Sequence, residues 1–290
     1  RGLVLLERHQ RLREHLVETG HKLATHSDTE TIVHLYETHG AACVDHLNGM
    51  FAFAVHDNRD DSVLVARDRL GIKPLYYAET DDALVFGSEI KALLVHPGVS
   101  RQIDPSAIDA FLTLKFIPAP QTAYRSIRKL PPGHLLRWQN GATKIERYWR
   151  PDYSQKDART DHEIVRDFGE KFEEAVRSQM LSDVPLGAFL SGGLDSSLIV
   201  SAMARISDRP IETFSIGFEE TSYNELEHAR VVADHFGTNH HELIVRPNVS
   251  ELFETVVSQF DEPFGDSSAI PTYLVSELAR QHVTIALSGT

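Results

Sequence analysis

A single cysteine, Cys43, is the only thiol in the sequence, which excludes an internal disulfide and a cysteine-based metal cluster. An uninterrupted apolar run of about 18 residues is also missing, so no segment qualifies as a membrane-spanning helix. The start of the sequence shows no signal peptide. These three absences favour a cytoplasmic protein that has no membrane partner.

The chain contains fewer basic than acidic residues. It carries 29 Lys and Arg against 42 Asp and Glu, which gives a net charge of −13. A surface this acidic repels phosphate backbones and argues against nucleic acid as a partner. It does not exclude nucleotides, because backbone dipoles can hold a small anion locally.

The two ends of the sequence do not resemble natural termini. The chain starts at Arg1 without a methionine and stops at Thr290, directly after an apolar run. We interpret the 290 residues as an internal fragment. Their number exceeds the usual size of one domain, so the sequence predicts two.

Residues 1–150 are expected to form an α+β domain that lacks its N-terminus. Apolar residues first recur at helical spacing and then at the spacing of short strands joined by turns, with a strong hairpin signal at Asn140-Gly141. This order predicts antiparallel sheets packed with helices. The predicted elements are helices over 6–20, 27–40 and 104–114 and strands over 50–55, 62–67, 75–79 and 83–88.

Residues 151–161 are polar and read as an interdomain linker, after which 162–290 are expected to form an α/β domain. Strands alternate there with helices, which predicts a parallel sheet. The predicted strands are 184–190, 211–217, 240–245 and 283–287, and the predicted helices are 162–181, 196–206, 225–236 (capped by Asn224), 249–259 and 268–281.

The stretch SGGLDSS, residues 191–197, lies where the first strand of this domain meets its helix. A helix N-terminus presents unpaired N–H groups and the positive end of its dipole. Glycines let an anion approach the backbone, and serines add hydroxyl donors. The pattern predicts a phosphate or pyrophosphate site made of Ser191, Gly192, Gly193, Asp195, Ser196 and Ser197.

Asp195 is unexpected beside an anion unless a Mg²⁺ ion lies between its carboxylate and the phosphates. The turn lacks the lysine of a P-loop and the third glycine of the dinucleotide fingerprint, so it is neither of these. The alternative interpretation is a flexible turn whose serines cap the helix. A second argument favours binding: ligands of open parallel sheets lie at the carboxyl ends of the strands, which places a nucleoside near Ile216 and Ser288.

Several motifs together resemble one enzyme family. SGGLDSS resembles the pyrophosphate loop of the N-type ATP pyrophosphatases. Stretches typical of the glutaminase domain of glutamine-hydrolysing asparagine synthetases are HSDTE (26–30), NGMFAFAVHD (48–57), RDRLGIKPLYY (67–77) and FGSEIKALL (86–94). Stretches similar to their synthetase domain are FSIGF (214–218), DEPFGDSSAIPTYLVSELA (261–279) and ALSG (286–289).

The resemblance implies a class II amidotransferase domain followed by an adenine nucleotide α-hydrolase-like domain. It implies that glutamine releases ammonia and that ATP, with Mg²⁺, activates aspartate as an acyl-adenylate, giving asparagine, AMP and pyrophosphate. A homodimer is compatible with it. By position, the nucleotide contacts are Leu190, Ile216, Ser288 and Gly289, the magnesium ligand is Asp195, and the acid that holds the amino group of glutamine is Asp28.

The sequence departs from the family at both ends. The glutaminase nucleophile of the family is an N-terminal cysteine, which Arg1 cannot replace, and Cys43 is expected to be a small buried hydrophobe. The family's Asn-Gly-Glu segment is absent. We therefore expect that this polypeptide alone does not hydrolyse glutamine. Thr290 stands where relatives often carry an acid, which leaves the carboxylate acceptor open.

Two other functions remain in view: a relative that adenylates a different carboxylate, as β-lactam-forming members do, and a nucleotide-binding module without turnover. The cluster Asp261, Glu262 and Asp266 precedes a predicted helix. Asp261 and Asp266 are candidates for the acceptor site, with a solvated loop as the alternative. His235, His240 and His241 are interpreted as surface histidines rather than metal ligands.

Overall fold

The computed structural model describes the backbone of residues 3–6 and residues 9–182, 184–218, 225–245 and 249–289. The chain divides into two compact units. The first unit comprises residues 1–156 and 260–265, and the second comprises residues 157–259 and 266–290. Within the described ranges, no helix is long and apolar enough to cross a membrane.

The first unit is built on two antiparallel sheets. The larger sheet contains, in this order, β1 (Leu3–Leu6), β2 (Gly49–Asp57), β3 (Ser62–Arg67), β7 (His134–Gln139) and β8 (Ala142–Arg147). In the smaller sheet, β4 (Tyr76–Glu79) lies between β5 (Leu84–Gly87) and β6 (Ile127–Lys129). The helices are α1 (His9–Glu18), α2 (Asp28–His39), α3 (Ile90–Leu93) and α4 (Pro105–Leu114), with a 3₁₀ helix at Gly40–His46.

Alternate residues of β2 pack into two different cores. Phe51 and Phe53 share one core with Leu35 of α2, whereas Ala52 shares the other with Tyr77 of β4. Successive side chains of a strand point to opposite faces, so helices cover one face of the larger sheet and the smaller sheet covers the other. The α+β prediction is confirmed.

Cys43 lies fully buried in the core between the larger sheet and the helices. Burial raises the pKa of its thiol to about 12, so the reactive thiolate is scarce near neutral pH. The expectation that Cys43 is a small buried hydrophobe is confirmed.

Local signals in the sequence place several element ends correctly. The Ser27 hydroxyl accepts a hydrogen bond from Thr29 N at 3.2 Å and caps α2. Asp104 caps α4 in the same way, with Pro105 at the first helical position. Asn140 and Gly141 both have positive φ, 52° and 75°, as a type I′ hairpin requires.

The prediction of a helix over 6–20 was wrong at its start. Residues 3–6 form β1, which pairs antiparallel with β2, and the helix begins only at His9. An apolar run as short as Leu3–Leu6 fits a strand or a helix equally well. The neighbouring strand decides the outcome, and the local sequence does not reveal it.

The second unit contains a four-stranded parallel sheet. Its strands are β9 (Leu186–Phe189), β10 (Glu212–Phe218), β11 (Asn239–Val245) and β12 (Ile285–Leu287). They lie in the order β11-β10-β9-β12, and every neighbouring pair is parallel, which confirms the α/β prediction. The helices are α5 (Asp161–Gln179), α6 (Leu194–Ile206), α7 (Leu226–Phe236), α8 (Val249–Gln259) and α9 (Ala269–Arg280).

Helices pack on both faces of this sheet. Ala188 of β9 lies in a core with Val200 of α6, whereas the adjacent Phe189 packs against a core that contains Val275 of α9. The element bounds differ from the prediction by about two residues, and α6 begins at Leu194 rather than at 196. The predicted cap Asn224 lies outside the described residues.

Residues 260–265 belong to the first unit, although the chain on both sides belongs to the second. Asp261 Oδ2 accepts a hydrogen bond from Ile90 N at 2.6 Å, at the start of α3. Glu262 Oε1 accepts from Ala123 N at 2.7 Å, and its Oε2 lies 2.8 Å from Lys129 Nζ. The Glu262 and Lys129 side chains are only 14% and 16% exposed, so water screens this pair poorly.

Replacing Glu262 by alanine should lower the free energy of unfolding of the first unit by about 1–3 kcal/mol, because Ala123 N–H loses its acceptor and Lys129 loses its counter-charge. Urea denaturation followed by tryptophan fluorescence measures this directly, since both tryptophans, Trp138 and Trp149, lie in the first unit. Glu146→Ala is the matched control, because the Glu146–Lys144 pair is exposed and should contribute at most about 1 kcal/mol. Equal losses in the two variants would contradict the assignment.

Candidate functional site

The turn between β9 and α6 carries the SGGLDSS stretch. Gly193 is the N-cap residue of α6 and has no side chain with which to cap the helix. Gly193 N instead donates to Ser191 Oγ at 3.2 Å, whereas the hydroxyls of Ser196 and Ser197 donate to Gly193 O at 3.2 and 2.6 Å. The serines therefore hold the shape of the turn. Their further role as donors to a phosphate stays a prediction.

The position of Gly192 leaves no room for a side chain. Its φ is +78°, and a Cβ there would lie 2.5 Å from the carbonyl carbon of His228 and 2.6 Å from Ala229 N. These atoms belong to the backbone of α7, which cannot yield as a flexible side chain can. The glycine thus allows the turn and α7 to pack in direct backbone contact.

Gly289 also has no room for a side chain, because the backbone of α6 lies against it. A Cβ at this position would lie 2.8 Å from Ser196 N and 2.9 Å from the carbonyl carbon of Asp195. The chain that leaves β12 therefore lies directly against the first turn of α6. This contact gives a structural reason for the Ser288-Gly289 pair that ends the motif ALSG.

Hydrogen bonds also join the end of β9 to the middle of β10. Leu190 N donates to Phe214 O at 2.9 Å, and the buried Ser215 hydroxyl donates to Leu190 O. The first residue after β9 is therefore fixed to the neighbouring strand. This places the turn at the carboxyl edge of the sheet, as the sequence predicted.

A cavity of about 350 Å³ lies at this edge of the second unit. Eight of the ten residues predicted for the nucleotide site line it: Leu190, Ser191, Gly193, Asp195, Ser196, Ile216, Ser288 and Gly289. Gly192 and Ser197 are not among the lining residues, since Gly192 faces α7 and Ser197 bonds back to the turn.

The cavity combines a helix terminus with two carboxylates. Asp195 and Glu225 line it, and no Lys or Arg occurs among its described lining residues. The N-terminus of α6 supplies positive potential through its dipole. The described part of the site therefore offers the N-terminus of α6 to an anion and carboxylate oxygens to a cation.

Sequence reasoning missed the other half of the lining. The residues not predicted are Phe189, Leu194, Phe214, Phe218, Glu225, Pro271, Thr272 and Val275. Phe214, Ile216 and Phe218 alternate along β10, so a search for residues sharing a face with Ile216 finds the two phenylalanines. Thr272 and Val275 lie one turn apart on α9, and only the packing of α9 on the sheet brings them to the cavity.

The remaining predicted residues lie elsewhere in the chain. Asp28 is the first residue of α2 in the first unit. Asp261 caps α3 there, while Asp266 belongs to the second unit and accepts a hydrogen bond from Ser268 N at 2.8 Å. Neither residue is among those that line the cavity. Their role at an acceptor site stays a prediction, and Arg1 and Thr290 lie outside the described residues.

The histidines near β11 are less exposed than the sequence indicated. The His240 side chain is 12% exposed, and burial lowers its pKa. Its Nδ1 lies 2.9 Å from Thr213 Oγ1, and His241 Nε2 lies 2.6 Å from Glu212 Oε2. These two histidines therefore contribute to the edge of the sheet as hydrogen-bonded structural residues.

Comparison with known proteins finds a different family model for each half of the chain. Residues 7–149 match the family model of the glutamine amidotransferase domain, and residues 167–290 match that of asparagine synthase. The chain therefore combines a glutamine amidotransferase domain with an asparagine synthase domain, in that order. The chain belongs to the glutamine-hydrolysing asparagine synthetase family.

Curated relatives match nearly the whole chain. A Methanocaldococcus jannaschii protein named as putative asparagine synthetase [glutamine-hydrolyzing] 2 is 39% identical over 91% of this chain and 52% of its own length. Asparagine synthetases [glutamine-hydrolyzing] 1 and 3 of Bacillus subtilis are 35% and 34% identical, over 96% of this chain and 44% and 48% of theirs. The chain spans about half the length of the curated relatives it matches.

Replacing Gly192 by alanine should destabilise the second unit by at least about 1–2 kcal/mol, because φ of +78° is unfavourable for alanine and the new Cβ meets the backbone of α7. Urea denaturation followed by far-UV circular dichroism tests this.

Gly169→Ala is the control for Gly192→Ala. Gly169 lies within α5, and a Cβ added there would have no atom within 4 Å, so alanine should stabilise the helix by about 0.5–1 kcal/mol. The two substitutions should therefore change the free energy of unfolding in opposite directions. A stable Gly192→Ala variant would show that the turn does not pack as described.

Proposed function

We propose that the protein to which these residues belong is an ATP-dependent carbon–nitrogen ligase, an asparagine synthetase with glutamine as nitrogen donor. The side-chain carboxylate of aspartate attacks the α-phosphate of ATP, which gives β-aspartyl-AMP and pyrophosphate. Ammonia then displaces AMP and forms asparagine. The observation that carries the proposal is the cavity at the carboxyl ends of β9, β10 and β12, with the N-terminus of α6 and Asp195 in its wall.

The turn 190–197 suits the phosphates of ATP. The N-cap residue Gly193 has no side chain to occupy the N-terminus of α6, and Leu194, Asp195 and Ser196 line the cavity, so the positive end of the helix dipole borders it. Gly193 has no Cβ to keep an oxyanion from this terminus. Helix N-termini of this kind bind phosphate without a lysine.

The two carboxylates of the cavity support a magnesium ion beside the phosphates. Among the described lining residues, a triphosphate would otherwise meet the negative charges of Asp195 and Glu225 without a compensating Lys or Arg. Carboxylate and phosphate oxygens are the hard ligands that Mg²⁺ prefers, so the residues present fit this ion. When bound, Mg²⁺ would neutralise charge on the phosphates, with Asp195 as its protein ligand.

The apolar part of the lining suits a nucleoside. The half-buried Phe189, Ile216 and Phe218 supply apolar contact area, and Ser288 supplies a polar group after β12. The volume of about 350 Å³ falls within the range of small-molecule sites. Adenine and ribose would therefore lie toward β10 and β12, with the phosphates over the turn.

The nitrogen donor is the part of the proposal that concerns the first unit. Asp28 is the residue proposed to hold the amino group of glutamine, as the family resemblance implies. Its place at the first turn of α2 leaves a purely structural role open, since acids are favoured there. The cytoplasm is the proposed location, because ATP, aspartate and glutamine are substrates of biosynthesis there.

A screen of carboxylic acids with the intact protein, Mg²⁺ and ATP tests the reaction. Pyrophosphate and AMP should appear in equal amounts with aspartate and an ammonium salt, and asparagine should form alongside them. Release with another acid but not with aspartate would identify a ligase for a different carboxylate. Tight nucleotide binding without pyrophosphate under any acid would identify a silent nucleotide-binding module.

Replacing Asp195 by asparagine in the 290-residue chain should weaken the binding of a non-hydrolysable ATP analogue about tenfold or more in the presence of Mg²⁺, because the metal loses a charged ligand. Isothermal titration calorimetry measures the change, and chelation of Mg²⁺ should remove most of the difference. Asp208→Asn removes an equal charge from an exposed residue after α6 and should leave the affinity unchanged. Equal affinity in the Asp195→Asn variant would refute its role as a metal ligand.

A further inference from the structure

A second group of potential ligands lies in the first unit, on residues that the proposed reaction does not use. His21 lies in the segment between α1 and α2, and His34 and Glu37 lie one turn apart on α2. One potential ligand atom from each of the three lies within 4.8 Å of the other two. Residues three apart on a helix share a face, which explains why His34 and Glu37 point to the same place.

The distances within this group suit a small metal ion. His34 Nδ1 lies 3.1 Å from His21 Nδ1 and 3.1 Å from Glu37 Oε2. Ligand atoms at about 2.0–2.1 Å from a tetrahedral zinc are about 3.3 Å apart, close to the spacing observed. The His21 and His34 rings meet edge to face, at an angle of 71° and a centroid separation of 5.0 Å. The two Nδ1 atoms share a hydrogen bond, and a bound cation would take the place of its proton.

The hydrogen bonds around His21 determine which of its nitrogens carries the proton. The Thr38 hydroxyl donates its hydrogen to His34 O at 3.0 Å. Its oxygen lies 3.0 Å from His21 Nε2 and can only accept there, so Nε2 carries the proton of a neutral His21. The Nδ1 of His21 is consequently an unprotonated lone pair that faces the other two groups. Histidine ligands of metals commonly donate their other N–H to an oxygen in this way.

Glu30 lies near the other ring nitrogen of His34, on the side away from His21 and Glu37. Its Oε1 lies 4.0 Å from His34 Nε2, close enough for electrostatic attraction though too far for a hydrogen bond. Hydrogen bonds from Ala24 N, Thr25 Oγ1 and Thr25 N lower the pKa of Glu30 to about 2, so it remains charged near neutral pH. A fixed negative charge there favours a cation on the far side of the His34 ring.

We propose that His21, His34 and Glu37 form a binding site for a divalent cation that prefers nitrogen ligands, with Zn²⁺ as its representative. The Glu37 side chain is 55% exposed and that of His34 is 19% exposed, so an ion can enter from solvent and keep water as its remaining ligand. The ion ties the segment after α1 to the second half of α2. This site is separate from the nucleotide cavity and does not depend on the proposed reaction.

Another histidine group in the second unit provides a comparison. Glu212, His241 and His282 also place ligand atoms within 4.8 Å of one another. The His241 and His282 rings are tilted by 31° at a centroid separation of 3.9 Å. Glu212 Oε1 accepts a hydrogen bond from Asn239 Nδ2 at 2.7 Å, and Glu212 Oε2 lies 2.6 Å from His241 Nε2, so both of its carboxylate oxygens are engaged, one of them outside the group. We assign no metal to this group.

Titration calorimetry with ZnCl₂ tests the proposal on the 290-residue chain, freed of any affinity tag and of metal. A single zinc should bind per chain, and saturation should raise the melting temperature, because a ligand of the folded state stabilises it. Substitution of Zn²⁺ by Co²⁺ should give the visible absorption of a site with nitrogen and oxygen ligands.

Four variants identify the ligands. His21→Ala and Glu37→Gln should abolish the tight site, and Thr38→Val should weaken it about 10- to 100-fold by removing the hydrogen-bond acceptor of His21. His282→Ala should leave it unchanged. Glu37→Gln alters an exposed group, so it tests the site even if His21→Ala does not fold. Zinc binding that persists in Glu37→Gln, or that disappears in His282→Ala, would overturn the proposal, as would the absence of saturable binding to the unaltered chain.

Discussion

Backbone contact without intervening side chains is the constraint on which the candidate nucleotide site depends. At Gly192 the turn after β9 lies against α7, and at Gly289 the chain leaving β12 lies against the first turn of α6. A Cβ would come within 2.5 Å of backbone at the first position and 2.8 Å at the second. Larger residues would separate the strand ends from the helix terminus, and the wall of the cavity would no longer be continuous.

The electrostatics of the cavity follow from this close packing. The contacts direct the N-terminus of α6 to the same space as Asp195 and Glu225. The chain as a whole is acidic, with a net charge of −13, so long-range attraction contributes nothing to the binding of a nucleotide. On the proposed function, affinity would arise instead from short-range contacts with the turn and from a cation shared between carboxylate and phosphate.

Features set by local sequence could be predicted, and those set by contacts between distant segments could not. Caps such as Ser27 and Asp104, the Asn140-Gly141 hairpin and the strand-to-helix turn at 191–197 each depend on a few adjacent residues. The strand β1 depends on pairing with β2. Glu225 and the α9 residues reach the cavity only because whole helices pack on the sheet. The spacing of apolar residues within one segment does not reveal this packing.

The assignment of residues 260–265 to the first unit was also not predictable from local sequence. It affects how the polypeptide can be divided. Because this segment belongs to the first unit, the chain passes from one unit to the other three times. A protease that cuts only within residues 151–160 would therefore not separate the two units. Residues 260–265 of the first unit, including Glu262, the partner of Lys129, would remain on the C-terminal piece. Separating the units at the gene level requires supplying 260–265 in trans or grafting it, rather than choosing a single breakpoint.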